Sequence, residues 1–248
     1  MKNKKLISII IPYRNCSNHI HSATKNILLI NSKYSKYIDF ILINDNSNDN
    51  SSNLIEEQLK EVTNIKFLSN TSQKITGPGI GRNIGIEKSR SKYVLFLDID
   101  DIYDLEYFPK LVNKLSNSDA DIIGFDWKRL PDHKLPDYAN QSGRNDLNLI
   151  TDNDRFLKDY LSLRTDGSVI YNAYNLKFLN QNNLLFRAGL HEDIDFAFKS
   201  FFLAKDIDYL PLKIYMKRAS SESIVNTFSI KHLKGFLSGY MEIINFCK

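Results

Sequence analysis

Three aspartates close together follow an apolar segment near the middle of the chain. Asp98, Asp100 and Asp101 come directly after the apolar run Tyr93–Leu97. Carboxylates this close raise one another's pKa, so leaving them uncompensated would cost stability. A hard divalent cation would relieve the repulsion, because Mg²⁺ and Mn²⁺ prefer oxygen ligands and usually need only one or two carboxylates besides phosphates. The pattern predicts a Mn²⁺ or Mg²⁺ site, and the alternative is a solvated acidic turn before a helix.

A second apolar segment also ends in polar residues. Ile41–Ile43 leads into Asn44 and Asp45, and further polar residues follow. An aspartate at such a position can accept a hydrogen bond from a nucleobase N–H, since loops at strand ends are where nucleotides dock. The alternative is an Asx turn that caps a helix over Ser51–Lys60. Taken alone, this segment favours the cap.

Glycines are concentrated around Arg82. The spacing of Gly77, Gly79, Gly81 and Gly85 does not match the dinucleotide fingerprint G-x-G-x-x-G. The composition predicts a flexible loop that delivers Arg82 to a diphosphate, because a guanidinium fork matches phosphate oxygens. An ion pair between Arg82 and a carboxylate of a helix is the alternative.

Acidic residues also begin the segment Glu192–Asp195. Carboxylates in the first turn of a helix interact favourably with its dipole, and that interaction needs no further function. A carboxylate here could instead take a proton from an attacking hydroxyl. The local sequence leaves both interpretations open.

These residues need elements that hold them, and the first half of the chain supplies alternating strand-like and helix-like segments. Short apolar or β-branched runs separated by helical patterns predict a mostly parallel central sheet flanked by helices, which is an α/β fold. Such sheets bind ligands at the carboxyl ends of their strands. The predicted strands are Leu6–Ile11, Ile38–Asn44, Ile65–Leu68, Tyr93–Leu97 and Asp121–Phe125, and the predicted helices are His19–Ile30, Ser51–Lys60, Arg82–Ser89 and Leu105–Leu115.

The second half of the chain is less regular. The polar stretch Leu130–Asn148 predicts a long loop that joins the two halves. Apolar residues at helical spacing predict helices over Asp193–Leu203 and Leu233–Ile244. The last helix could pack on the core, form a homodimer or lie on a membrane surface, and packing on the core is the default.

The overall composition argues against several classes of protein. The net charge of +4 comes without a basic stripe interleaved with aromatic residues, which argues against a nucleic-acid partner. Two cysteines far apart in the sequence, Cys16 and Cys247, fit a reducing compartment such as the cytoplasm. The first apolar run is too short for a signal peptide, and no segment approaches the ~20 apolar residues of a membrane-spanning helix. Basic residues toward the end leave a peripheral contact with the inner face of the cytoplasmic membrane open, although a solvated face is the simpler explanation.

Taken together and in order, the motifs resemble those of family 2 glycosyltransferases with the GT-A fold. Each motif is weak alone, but five in the family's order, over roughly residues 6–205, are specific. Asn44 and Gly81 stand where the family frequently has Asp and Ala; the first difference is expected to change base contacts and the second to loosen the loop. The motifs are Ile9–Asn15 (IIIPYRN), Asn44–Ser47 (NDNS), Gly81–Ile86 (GRNIGI), Phe96–Asp101 (FLDIDD) and Glu192–Asp193 (ED).

The resemblance implies an inverting enzyme that moves a hexosyl or N-acetylhexosaminyl group from a nucleotide-diphospho-sugar, usually a UDP-sugar, to a hydroxyl of a saccharide or glycolipid acceptor. In bacteria such transfer serves the synthesis of surface polysaccharide or lipooligosaccharide. The resemblance assigns Asp193 as the general base, and Asp100 and Asp101 as ligands of Mn²⁺ or Mg²⁺. The donor-binding residues that it implies are Pro12, Tyr13, Asn15, Asp45, Arg82, Asp98 and Asp100.

Residues that would bind the acceptor are harder to identify. Trp127 follows a predicted strand and could stack on a sugar ring or belong to the core. His191 and Glu192 stand directly before the implied base. Arg218 falls where related bacterial enzymes often have a basic residue near the active site. These four residues are the acceptor-side candidates.

On this interpretation, residues 1–130 form the half that binds the nucleotide-sugar, within one continuous domain. Residues 131–248 form the half that binds the acceptor and carries the base and the C-terminal helix. One alternative is a sugar nucleotidyltransferase, which would need a glycine- and lysine-rich phosphate loop where Pro12–Asn15 stands. The other is a non-catalytic module that binds sugar nucleotides, which would have lost acids that are present here.

Overall fold

The amino-terminal half of the protein forms the parallel part of its sheet. The computed structural model describes residues 4–18, 20–72, 74–130, 142–143, 153–162, 168–218 and 229–248. Apolar and β-branched runs form four strands, and amphipathic segments form the crossovers between them. The elements are β1 (Ile7–Tyr13), α1 (Ile20–Tyr34), β2 (Ile38–Asn44), α2 (Ser51–Leu59), β3 (Ile65–Ser69), α3 (Pro78–Lys88) and β4 (Tyr93–Phe96).

Strand β1 lies at the centre of this half, between β2 and β4. It pairs in parallel with both, and β3 extends the sheet in parallel beyond β2. Every residue of β1 and β4 is buried, as expected for strands that are covered on both faces. The chain runs outward from β1 to β3 and then returns to β4 on the other side of β1. The carboxyl ends of β1, β2 and β4 therefore meet at the reversal of strand order, where such sheets bind ligands.

The carboxy-terminal half completes the sheet with strands of both directions. Its elements are β5 (Ile102–Tyr103), α4 (Phe108–Ser116), β6 (Ile122–Arg129), β7 (Ser142–Gly143), α5 (Asn153–Leu161), β8 (Asn172–Asn175), α6 (Leu176–Gln181), α7 (Asp193–Leu203), β9 (Ile207–Lys217) and α8 (Ile230–Phe246). Within the described residues the strand order is β3-β2-β1-β4-β8-β6-β9-β5, and β7 pairs with β6. β8 lies antiparallel between β4 and β6, whereas β9 runs parallel to β6.

The α/β architecture predicted from the sequence is confirmed, and several elements differ in extent. The helix expected from Arg82 begins earlier, at Pro78, because a proline in the first turn of a helix forfeits no hydrogen bond. The helix expected from Leu105 begins after a further turn, at Phe108. The sequence does not predict β8, which is short, or β9, which contains Pro211; a proline within a run is a signal against a strand.

The junction between the two halves is only partly described. Most of the predicted loop Leu130–Asn148, and with it the proposed boundary after residue 130, lies outside the described residues. Within them, the N–H of Leu130 donates to the carbonyl of Lys217 at 2.8 Å, at the end of β9. The division into a donor half and an acceptor half stays a prediction.

An aromatic cluster joins the parallel strands to α7. Phe96, the last residue of β4, contacts the rings of Tyr174, Phe186 and Phe196. Phe186 and Phe196 stack with ring centroids 3.8 Å apart. Packed rings of this kind contribute beyond their buried area. The cluster therefore fixes α7 against the end of β4.

The last helix, α8, packs on α7 through a face of small residues. Its buried residues are Gly235, Gly239 and Ile243. A Cβ on Gly235 would come within 2.7 Å of the carbonyl oxygen of Leu190, so only glycine permits this approach. No helix among the described residues is long and apolar enough to cross a bilayer. Five of the apolar side chains that α8 exposes, called here the outer face of α8, are Ile230, Leu233, Leu237, Met241 and Ile244.

Candidate active site

A buried arginine joins the end of β4 to the start of α7. Nη2 of Arg82, on α3, lies 2.8 Å from Oδ1 of Asp98, and Nη1 lies 2.7 Å from Oε1 of Glu192. The guanidinium carbon also lies 5.9 and 5.4 Å from the ring centroids of Phe96 and Phe186. Because Asp98 follows β4 and Glu192 directly precedes α7, one side chain connects three segments of the fold.

Close packing of α3 brings Arg82 to this position. A Cβ on Gly81 would lie 2.7 Å from the side chain of Pro12, and one on Gly85 would lie 2.3 Å from that of Ile10. The glycines therefore allow a helix to lie directly against β1. The prediction of a flexible loop around Arg82 is wrong, and so is the expectation that Gly81 loosens it. Arg82 instead forms the ion pair with carboxylates that the sequence left open as the alternative.

The charges of this cluster compensate one another. Burial by itself would lower the pKa of Arg82, but the carboxylates of Asp98 and Glu192 raise it above its ordinary value. Burial raises the pKa of Glu192, and the charge of Arg82 opposes that rise. Removal of one partner from a buried ion pair typically costs ~3–5 kcal/mol, because the other charge is left uncompensated. The three groups are thus stable as a set.

Asp193 lies next to this set, at the first position of α7. Burial raises the pKa of its carboxyl, while the charge of Arg82 lowers it. The residue as a whole is partly exposed. Among the described residues, its hydrogen-bond partner is its own backbone N–H. A carboxylate with a raised pKa that is not committed to an ion pair is suited to accept a proton.

The acidic turn after β4 divides its carboxylates between different contacts. Asp101 is buried, and its oxygens accept hydrogen bonds from the hydroxyl of Tyr215 and the N–H of Arg218, each at 2.6 Å. Burial, together with the charges of Asp100 and Asp98, raises the pKa of Asp101 to about 8. Nε of Arg218 donates to the carbonyl of Asp100 at 2.9 Å. Asp101 therefore holds the end of β9 against the turn, whereas Asp98 and Asp100 are partly exposed.

The donor set of this turn fits a divalent cation that takes its other ligands from a diphosphate. No group of three or more His, Cys, Asp or Glu side chains in the described part of the chain could hold a metal ion by itself. Mg²⁺ in particular is commonly held by one or two carboxylates plus phosphates, and Asp98 and Asp100 can supply those carboxylates. The hydrogen bonds of Asp101 favour a structural role for it over the ligand role that the resemblance implies.

Asp45 holds the loop that leads into α3. Oδ1 of Asp45 accepts a hydrogen bond from Nδ2 of Asn70, and Oδ2 accepts one from the N–H of Gly77, both at 2.7 Å. Asn70 directly follows β3, so the carboxyl ends of β2 and β3 are linked here. Each carboxylate oxygen can accept a further bond. Asp45 can therefore hold this loop and still accept an N–H from a ligand.

Polar side chains also connect the ends of β1 and β2. Asn44 accepts a hydrogen bond from the N–H of Ser47 at 2.8 Å and donates one to the hydroxyl of Ser52 at 2.7 Å. The hydroxyl of Tyr13 donates to the same oxygen at 3.3 Å. Asn15 adopts a left-handed φ of 46° just beyond β1, a conformation that asparagine tolerates better than most residues. Asn44, which replaces the family's frequent Asp, thus shapes the turn itself.

The acceptor-side candidates lie in two different places. Trp127, on β6, stacks on Tyr171 with ring centroids 5.5 Å apart and planes 13° from parallel. Tyr171 in turn contacts Tyr215 edge-on at 5.4 Å, which links Trp127 to the acidic turn. His191 contacts α8 instead, with Nε2 3.1 Å from Nδ1 of His232. Glu192 and Arg218 belong to the contacts already described.

Two contributors to the site are missed by sequence reasoning. Asn70 carries the same signal as Asp45, because it is a polar residue at the end of a strand, and could have been found by that signal. Tyr215 lies within β9 and forms its contact with Asp101 across 114 positions of sequence. No local pattern indicates a contact of that range.

Known proteins match this chain in sequence and in fold. The family model described as glycosyl transferase family 2 matches residues 8–179. YibD, an uncharacterized glycosyltransferase of Escherichia coli (strain K12), is 25% identical over 87% of this chain, which spans 62% of that relative. Staphylococcus aureus TarS 1–349 in complex with UDP-GlcNAc superposes with a TM-score of 0.75 at 19% identity, over 97% of this chain and 67% of that one. The mannosyltransferase PcManGT from Pyrobaculum calidifontis, in complex with GDP-Man and Mn²⁺, superposes with a TM-score of 0.68 at 12% identity. That match covers 98% of this chain and 65% of the mannosyltransferase. These likenesses show the GT-A fold.

Replacement of Arg82 by Met tests the charge compensation in the site. With the cation removed, we expect the free energy of unfolding to fall by about 3–5 kcal/mol near pH 8. Since Arg82 opposes the raised pKa of Glu192, its loss raises that pKa further. A raised pKa in the folded state makes stability fall as pH rises through it. The free energy of unfolding, measured by urea denaturation, should therefore differ less between wild type and Arg82→Met near pH 5 than near pH 8.

The matched control is Lys88→Met, which removes the exposed ion pair with Glu87 on the same helix. Because exposed pairs are screened by solvent, this change should leave stability nearly unchanged at both pH values. Equal losses at the two pH values for Arg82→Met would mean that Arg82 contributes packing rather than charge compensation.

Proposed function

The chain belongs to glycosyl transferase family 2, and on this premise we propose that it transfers a hexosyl or N-acetylhexosaminyl group from a nucleotide-diphospho-sugar to a hydroxyl of a saccharide or glycolipid. One observation carries the proposal. Arg82 binds Asp98, on the side where we propose that the donor binds, and Glu192, at the start of α7. Glu192 is adjacent to Asp193, whose pKa is raised. The proposed donor site and the proposed base thus share one cluster of charged side chains. Synthesis of a bacterial surface polysaccharide or lipooligosaccharide is the process that we propose for it.

A UDP-sugar is the donor that we propose. In support, the structural neighbour TarS was solved with UDP-GlcNAc. Support from this chain comes from the polar groups at the strand ends. The carboxylate of Asp45, held in place by Asn70, provides hydrogen-bond acceptors that suit the N–H of a uracil base. Pro12, Tyr13 and Asn15 lie at the adjoining end of β1 and complete the proposed nucleoside pocket.

We propose that Mn²⁺ or Mg²⁺ binds with the donor, held by Asp100 with Asp98 beside it. The bound cation would act as a Lewis acid that neutralises negative charge on the leaving diphosphate. Asp101 positions the turn through its bonds to Tyr215 and Arg218. The neighbouring mannosyltransferase solved with Mn²⁺ supports the type of ion.

Asp193 is the proposed general base of a single displacement. Its carboxylate takes the proton of the acceptor hydroxyl as that oxygen attacks the anomeric carbon from the face opposite the diphosphate. The bond between the anomeric carbon and the diphosphate oxygen breaks, the diphosphate keeps the electron pair, and the configuration inverts. Burial raises the pKa of Asp193, and the charge of Arg82 opposes that rise and so favours the ionised form of the base.

Asp193→Asn tests the reaction and the base together. Wild-type protein incubated with Mn²⁺ and UDP-, GDP- or CMP-sugars should release nucleoside diphosphate from UDP-sugars and transfer the sugar to saccharide acceptors. A positioned base contributes ~10²–10⁴ in rate, so we expect Asp193→Asn to lose about that factor in kcat while it still binds donor. Since burial raises the pKa of Asp193, kcat of the wild type should fall with acidification already above the ordinary range of aspartate.

The matched control is Asp208→Asn, which removes a carboxylate of β9 that pairs with Lys114. It should keep wild-type kcat. Near-wild-type turnover by folded Asp193→Asn would remove the base role. Formation of a nucleotide-sugar from a nucleoside triphosphate and a sugar phosphate would identify a nucleotidyltransferase, and donor binding without any transfer would identify a binding module.

The different roles proposed for Asp100 and Asp101 in the acidic turn give a separate prediction. Isothermal titration of UDP should show tighter binding with Mn²⁺ than with EDTA for the wild type. Asp100→Ala should abolish that difference, because it removes the proposed ligand. Asp101→Asn should keep the difference but lower the melting temperature, because it weakens the bonds to Tyr215 and Arg218. Loss of the Mn²⁺ effect in folded Asp101→Asn would return Asp101 to the ligand role.

We also propose that the enzyme works in the cytoplasm, with the outer face of α8 on the inner surface of the membrane. The apolar side chains of this face range from 47% exposed for Leu233 to 74% for Ile230. Lys231 and Lys234 are exposed beside them in the first turns of the helix. Apolar side chains flanked by lysines match the boundary between acyl chains and anionic headgroups.

Cosedimentation with lipid vesicles measures this contact. We expect binding to vesicles of phosphatidylcholine with about one third phosphatidylglycerol, weaker binding at high salt, and little binding by the Lys231→Glu, Lys234→Glu double variant. The double variant Lys36→Glu, Lys60→Glu changes the charge equally on other parts of the surface and should bind like the wild type. A dimer in sedimentation velocity that does not bind vesicles would show that a second copy covers this face.

A further inference from the structure

A second arginine organises the segment directly before the proposed base. Nε of Arg187 donates to Oδ1 of Asp195 at 2.9 Å. Its Nη2 donates to the carbonyl oxygens of Leu190 and Gly235, both at 2.8 Å, and also to that of His191. One guanidinium thus binds the segment before α7, the first turn of α7 and the second turn of α8.

The segment that Arg187 binds has an unfavourable backbone conformation. Gly189 has a φ of 104° and His191 a φ of 54°. For a residue with a Cβ, the left-handed region costs roughly 1–2 kcal/mol. Such a conformation persists only where surrounding contacts hold it. Arg187 Nη2 binds the carbonyls of Leu190 and His191 within this segment, three and two positions before Asp193.

The fit between α8 and this segment supplies a further carbonyl, that of Gly235. A Cβ on Gly239 would lie 3.3 Å from Nη2 of Arg187. Because Gly235 and Gly239 have no side chain, α8 approaches closely enough for the carbonyl of Gly235 to reach the guanidinium. Asp195, the anionic partner, is buried and also binds Lys199 at 3.0 Å.

We propose that Arg187 is the positioning residue of the proposed base: by binding Asp195 and the carbonyls of Leu190 and His191, it fixes the backbone that carries Asp193. The inference rests on the proposed function of Asp193. Arg187 touches none of the reacting groups and acts through Asp193. A lysine could satisfy Asp195, but its single ammonium cannot bridge all the acceptors that a planar fork binds.

The test compares Arg187→Lys with Lys199→Met. Each alters one of the two cations that bind Asp195, but only the first weakens the bonds to the backbone. We expect Arg187→Lys to lower kcat for UDP-GlcNAc turnover with Mn²⁺ about 10–100-fold, because a small misplacement of a catalytic group has effects of that size. KM for the donor should stay within about 2-fold, since the donor residues are elsewhere. Lys199→Met should leave both constants within about 2-fold.

Backbone amide hydrogen exchange tests the physical part of the inference without activity. Exchange at residues 188–194 should be faster in Arg187→Lys than in the wild type and unchanged in Lys199→Met. If Arg187→Lys is poorly folded, the double variant Arg187→Met, Asp195→Leu removes both charges together, which is often tolerated in a buried site. It should show the same loss of kcat and the same faster exchange.

Three results would overturn the inference. Unchanged exchange in both Arg187 variants would show that Arg187 does not hold the segment. Faster exchange with unchanged kcat would show that the segment is held for stability alone. A loss of kcat of equal size in Lys199→Met would assign the effect to the charge of Asp195. A wild type that turns over no donor would instead contradict the proposed function, and the exchange experiment would still decide whether Arg187 holds the segment.

Discussion

The guanidinium of Arg82 is buried between two carboxylates from distant parts of the chain. Glu192 is 110 positions away in sequence, and Asp98 is 16 positions away on the other side of β4. A buried cation without its partners would be unstable, so α3, β4 and the start of α7 must be placed together for the charge to be tolerated. The position of Asp193 follows from this constraint, because it is covalently next to Glu192.

Close packing makes the constraint possible. Gly81 and Gly85 let α3 lie against β1, and the stacked rings of Phe186 and Phe196 hold α7 beside β4. Arg187 then binds the strained backbone between Phe186 and Asp193. Two cations, each with compensated charge, therefore hold the turn that carries the proposed base from both sides. The pKa of Asp193 is set by a balance of burial and neighbouring charge.

Strands and helices with a clear pattern of apolar residues could be predicted from the sequence, whereas long-range contacts could not. Strands β1 to β4 are apolar runs, so Asp45 and Asp98 could be placed at strand ends from their neighbours alone. The glycines around Arg82 were ambiguous, because composition does not distinguish a flexible loop from a helix that needs room. The difference depends on Pro12 and Ile10, whose positions only the fold determines. The contacts of Tyr215 and Arg187 likewise depend on which elements pack together, and carry no local signal.

In the acidic turn, contacts made by the fold supply part of the compensation that the three carboxylates need. Three carboxylates in sequence need compensation, and a cation is the simplest source of it. In the structure, however, Arg82 compensates Asp98, and Asp101 is stabilised by the N–H of Arg218 and the hydroxyl of Tyr215. These contacts offset part of the repulsion, but burial and the charges of Asp100 and Asp98 still raise the pKa of Asp101 to about 8. A cation bound mainly through Asp100 would then need further ligands, and a diphosphate supplies them. On the proposed function, the metal and the donor should therefore bind together. The diphosphate would complete the coordination of the metal, and the metal would offset the charge of the diphosphate.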